Sequence, residues 1–208
     1  LFTLVAATTL GLMLLAALGS GSLLLRAMRV PQETYFLSAI AVEFALGVGI
    51  IGWLVFWLGV AQLFDFSYLL FLILGLAAYG IYNIIRKPVS LVPPKNVSLL
   101  TGVLIAGLVL VGLLDLLEGL APPSDGDSLA YHFALPKAFL REGGLFPLYQ
   151  ALEGSIPLLP QMTYLAALGI GGETAMTLWT MVAGSAAALF LFALARPYMG
   201  LNWSLGLT

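Results

Sequence analysis

Five apolar runs, at about residues 1–25, 37–60, 68–85, 98–117 and 173–195, constrain this chain more than any other feature. Each reaches or approaches the ~20 residues with which a helix crosses ~30 Å of hydrocarbon. With 61% hydrophobic and only 9% charged residues, the sequence lies far from the globular balance of roughly half apolar and a quarter charged. A water-soluble core could not hide that surface, so the expected fold class is all-α, a polytopic transmembrane helical bundle. Residues 1–120 are predicted to carry four transmembrane helices and 121–172 a non-cytoplasmic loop with interfacial helices. Residues 173–208 then hold another crossing and the start of a further segment. Leu1 to Leu25 is too long, and too free of a basic leader, for a signal peptide and reads as a span. Pro157 to Ile170 suits a short, re-entrant or interfacial helix better than a complete crossing.

Lys and Arg set the orientation, because basic loops stay on the cytoplasmic side. Arg26, Arg29, Arg86, Lys87, Lys95 and Arg196, six of the eight basic residues, fall on one side by alternation. The short Asp65 turn and the long loop from Glu118 to Gly172 then face out, as expected of a multi-pass protein of the cell inner membrane. A net charge of −2 without a basic stripe argues against nucleic acid as a partner, and the absence of cysteine removes thiol and disulfide chemistry. Glu43, inside the second run, is expected to face protein, either as part of a polar cavity or bonded to a neighbouring helix. It is also the best feature for a transporter, although no internal repeat supports that reading. Trp53, Trp57, Tyr68 and Tyr79 are assigned the ordinary role of headgroup anchors.

Most of the chain's polar variety lies between Ala121 and Gly144. Pro122 and Pro123 end the preceding helix, and Asp125-Gly126-Asp127 reads as a turn into a new one. Ser124 with Asp127 fits a capping box, and Asp127 is itself a candidate cap for the next turn. From Ser128 onward, Leu129, Phe133, Pro136 and Leu140 form one stripe flanked by Lys137 and Arg141. This predicts an amphipathic helix in the membrane interface, bent or divided at Pro136 and ended by Gly143 and Gly144.

That geometry sets carboxylates, one imidazole and two cations at the depth of lipid phosphates. Lys137 and Arg141, one turn apart, suit a phosphate or pyrophosphate, and Asp127 suits accepting a proton from a hydroxyl. The plainer readings are a structural cap for Asp127, unspecific anionic-lipid contacts for the cations, and a hydrogen-bonded structural role for His132. A multi-histidine metal site is excluded by the single His. A divalent cation such as Mg or Mn, held by Asp125, Asp127, Glu153 or Glu173 with waters, remains open as a cofactor.

The run Asp127-Ser-Leu-Ala-Tyr131-His132-Phe-Ala-Leu-Pro136-Lys137 resembles the Asp-x-Leu-x-Tyr-His-x-x-Leu-Pro-Lys signature of bacterial membrane glycosyltransferases of the GT-C type. These are relatives of the dolichyl-phosphate-mannose and aminoarabinose transferases. The likeness continues through Ser155-Ile-Pro-Leu-Leu-Pro160-Gln161 to Arg196; the four upstream runs agree in hydropathy alone. The resemblance implies a partial GT-C-like fold and an inverting transferase that takes a sugar from a polyprenyl-phosphate carrier. Asp127 is then the general base, with Asp125 a second candidate. Tyr131, His132, Lys137, Arg141 and Gln161 are the implied substrate-binding residues, Lys137 and Arg141 stabilising the departing phosphate. Implied partners are the lipid-linked sugar donor and membrane lipids. Family members have more spans, so the alternatives are the amino-terminal portion of such an enzyme or a shortened, non-catalytic subunit packed against other membrane subunits.

Overall fold

The computed structural model describes residues 2–30, 36–86, 98–124, 126–147 and 159–208. Among them every regular element is helical: α1 (Phe2–Ala27), α2 (Phe36–Val60), α3 (Phe66–Arg86), α4 (Leu99–Leu120), a π-helical turn (Ser128–His132), α5 (Ala134–Glu142), α6 (Leu159–Ala195) and α7 (Leu201–Gly206). Five of these, α1 to α4 and α6, are long and apolar enough to cross a membrane.

The centre of the molecule is α1, which packs against α2, α3 and α6. Glycine sets the spacing. A Cβ added at Gly47 would run into the backbone carbonyl of Ala17, one at Gly21 into that of Glu43, and one at Gly80 into that of Leu15. Close backbone approach through small residues is how helices associate where lipid removes the hydrophobic drive between them. Met13, Ala16 and Ala17 of α1 are buried in this seam with Ile51, Val55, Leu69 and Ile73. Glu43 is buried there too, 8% exposed, on the face of α2 that meets α1.

α6 is two helices. Gly172, at φ 79° and ψ −172°, breaks it, in a region of backbone space open essentially to glycine alone. In a straight helix Thr163 and Trp179 would stand about 24 Å apart at 1.5 Å per residue. Instead the indole Nε1 of Trp179 donates to Thr163 Oγ1 at 2.9 Å, so the chain doubles back at Gly172. The first arm is the short helix expected from Pro157 to Ile170, described from Leu159 onward. Gln161, Met162, Thr163, Leu165, Ala166 and Ala167 are all buried in the bundle. Glycines set its close approaches, Gly52 of α2 to Leu159, Gly169 to Leu69 of α3 and Gly171 to Thr9 of α1.

α5 lies across one end of this bundle. Leu135, Pro136 and Phe139 are buried beneath it and Arg141 is exposed. The end of α5 is tied to the α2–α3 turn, where Phe64 N donates to Gly143 O at 2.9 Å and Leu145 N to Gly59 O at 3.0 Å. The Asp65 turn and the polar loop, expected on a common side, therefore share one end of the bundle. The predicted break at Pro136 does not occur. Pro136 sits in the first turn of α5, where a missing N–H costs nothing, and the irregularity falls earlier, in the π-turn and Phe133. Gly143 does end the helix, left-handed at φ 78°.

α4 stands apart, touching only the second arm of α6 and α7 among the larger contacts. It begins with a true capping box, Ser98 with Thr101. α7 lies beside that end, with Thr101 Oγ1 donating to Asn202 Oδ1 at 2.6 Å.

Candidate functional site

The sequence between Pro123 and Phe133 folds in an unusual way. Phe133 N bonds Ser128 O at 3.0 Å, five residues back, which makes Ser128–His132 a single π-helical turn. Such turns are rare and concentrate at functional sites. Asp127 precedes it with helical dihedrals, φ −72° and ψ −42°, and makes no capping bond. The capping expectation is corrected here for a geometric reason. A cap residue needs extended dihedrals to swing its side chain back over the first N–H groups, and Asp127 is already inside the coil. Its carboxylate is exposed and has no hydrogen-bond or ion-pair partner among the described residues. Asp125 and Glu153 lie outside the described residues.

The π-turn aims its last two residues at the bundle. Tyr131 and His132 are neighbouring rings with centroids 4.2 Å apart, and His132 Nδ1 lies 2.9 Å from Gln161 Nε2. An amide N–H can only donate, so this contact makes Nδ1 the acceptor and leaves the proton of a neutral imidazole on Nε2. Gln161 is 2% exposed, and its Oε1 has no partner among the described residues. Two of the residues implied to bind substrate, His132 and Gln161, are thus joined across 29 positions of sequence.

The cations are separated. Lys137 Nζ pairs with Glu173 Oε1 at 2.8 Å, and Arg141 Nε with the adjacent Glu142 at 3.1 Å. Both pairs are solvent-accessible, and each cation is engaged by its own carboxylate instead of facing a common point. No group of three or more metal-ligating side chains comes together among the described residues.

Sequence reasoning missed two carboxylates. Asp115 and Glu118, at the end of α4, line a cavity of about 290 Å³ together with Ser124, Ser128 and Thr180. Phe133, Met181 and the Pro122-Pro123 pair supply its apolar wall. Thr177, also in the lining, donates to Gly119 O at 2.5 Å and so pins α6 to α4 at the cavity floor. Asp127 lies in the chain between two lining residues, Ser124 and Ser128. The available signal was the spacing: carboxylates three apart share a helix face, and no basic residue flanks them at that end of the span.

No family model, no curated protein and no solved structure matches the chain.

Proposed function

We propose that the chain carries the catalytic loop of a multi-pass inner-membrane glycosyltransferase, working on the non-cytoplasmic face with a sugar carried on polyprenyl phosphate. The observation that carries this reading is the carboxylate of Asp127, uncapped and without a partner among the described residues, between two residues of a polar cavity in the chain. An exposed helix gains from a capped terminus, and a base gains from an open one. In the reaction the acceptor hydroxyl oxygen bonds to the anomeric carbon while its proton passes to Asp127. The bond from that carbon to the phosphate oxygen breaks, and the lipid phosphate leaves with the electron pair. Lys137 and Arg141 on α5 are the cations to receive that charge, after exchanging their present carboxylate partners. His132, held by Gln161, orients the turn that bears Asp127.

The test is transfer of radiolabelled sugar from a polyprenyl-phosphate donor in membranes containing the natural protein. Asp127→Asn keeps size and hydrogen bonding but removes the base, and a drop of about 10²–10⁴-fold in rate is expected. Membrane insertion should be unchanged. An Asp127→Asn protein that transfers at the normal rate refutes the assignment. Such tolerance, with copurification in a stable complex, would favour the non-catalytic subunit.

A further inference from the structure

We infer that the cavity between the end of α4 and the second arm of α6 is a subsite for one monosaccharide ring, gripped through its hydroxyls by Asp115 and Glu118. This rests on the transferase reading and extends it, by dividing the site into a sugar side and a phosphate side. Size comes first. At about 290 Å³ the cavity is at the lower limit of small-molecule pockets, which run to roughly 1,000 Å³, a size suited to one ring.

The lining then selects the chemistry. Ser124, Ser128 and Thr180 line the cavity with the two carboxylates, and Phe133 adds an apolar ring. A sugar ring presents the complement, an edge of hydroxyl donors and a face of C–H groups. Carboxylates are acceptors only, and bonds to them are about twice as strong as neutral ones. Neither Asp115 nor Glu118 has an ion-pair or hydrogen-bond partner among the described residues, so both are available to donors from a ligand.

Their charge also excludes. A phosphate in this cavity would meet two carboxylates with no cation among the described lining residues, whereas Lys137 reaches Glu173, one helical turn from the lining residue Thr177. The sugar would therefore enter the carboxylate cavity and the lipid phosphate stay on the α5 flank. The anomeric carbon, which links the two parts of the donor, would then lie at the cavity's edge, on the wall whose lining residues Ser124 and Ser128 flank the proposed base in the chain.

The absence of cysteine permits a direct test on the full chain in detergent. Met181→Cys places one thiol on the cavity wall, and its labelling by a small methanethiosulfonate is timed with methyl glycosides of glucose, mannose, galactose and glucosamine. At least one glycoside should slow labelling, and Asp115→Asn or Glu118→Gln should raise the concentration needed by about tenfold, the loss of one charge-assisted hydrogen bond. Both replacements are isosteric, and each is read on protein that elutes as the parent does. In transfer assays the same replacements should raise KM for the donor and leave KM for the acceptor unchanged.

Lack of protection by every glycoside overturns the proposal, as does protection indifferent to both replacements or inorganic phosphate protecting equally well. A rise in acceptor KM alone would overturn the assignment to the donor. Protection that depends on the carboxylates, in a protein whose Asp127→Asn variant still transfers, would instead retain the sugar subsite and discard Asp127 as base.

Discussion

α1 and α4 are hard to tell apart as sequences, yet they occupy opposite positions in the fold. Both are long, apolar and punctuated by glycine. In α1, 44% of the most apolar stretch is buried, in α4 only 6%. The glycines show why. Those at 19, 21, 47 and 80 each face another backbone, whereas Gly102, Gly107 and Gly112 of α4 meet nothing within 4 Å. Hydropathy says that a helix prefers lipid to water; it does not say what the helix touches. Small residues matter only where they pair across an interface, and pairing is invisible in a single helix.

The sharpest way to break this contrast is to fill a glycine in the seam. Gly47→Leu drives a side chain into the backbone of α1, which cannot move aside as a flexible side chain would. Overpacking costs about 1–3 kcal/mol in ordinary cores and more when backbone must shift, so about 3 kcal/mol or more is expected here. Thermal unfolding followed in detergent should show a large loss, and a melting point equal to the parent's would remove α1 from the centre of the bundle.

A glycine can also be required by conformation with space to spare. Gly172 has an open surround, but its φ of 79° and ψ of −172° belong to glycine. Gly172→Ala should therefore cost about 1–3 kcal/mol, although nothing blocks the added methyl. The doubling-back of α6 predicts a companion effect, weaker contact between Thr163 and Trp179. Indole fluorescence of Gly172→Ala that matches the parent, with unchanged stability, would argue for a continuous helix.

How much of this could be read in advance follows from the length scale of each feature. The boundaries of α1 to α4 and of the second arm of α6 fall near the predicted runs, for instance Phe36–Val60 against 37–60, because the length of a crossing is set by the thickness of the hydrocarbon. The end of α5 at Gly143 was also legible, being a local choice of backbone. The core location of Gln161 was not, since its His132 partner lies 29 residues away and isolated polar residues look alike. Asp115 and Glu118 escaped notice because they close an apolar run and resemble the ordinary polar edge of a span. Asp127 shows the converse failure. Its sequence context fits a cap, and only the π-turn beside it withholds the extended dihedrals a cap needs.

The same comparison predicts small effects where the rim and the loop meet water. Lys137→Met removes the ion pair with Glu173, whose side chains are 40% and 58% exposed. Exposed pairs contribute about 0–1 kcal/mol, so stability should change little. A substantial fall in donor turnover with stability unchanged would mean that Lys137 serves the reaction, not the fold; unchanged turnover would confine the phosphate to Arg141.

The smallest effect is expected on α4 itself. Gly112→Leu adds a large side chain in the middle of a crossing helix, the kind of change that is ruinous at Gly47. At Gly112 no atom of another described element lies within 4 Å of the new Cβ, and leucine is a better helix former than glycine by somewhat less than the ~0.8–1.0 kcal/mol that separates glycine from alanine. The variant should be as stable as the parent or slightly more so. A marked loss would show that this face of α4 meets another protein surface in the membrane, and the contrast between the two helices would then be one of partners still to be supplied, not of core and rim.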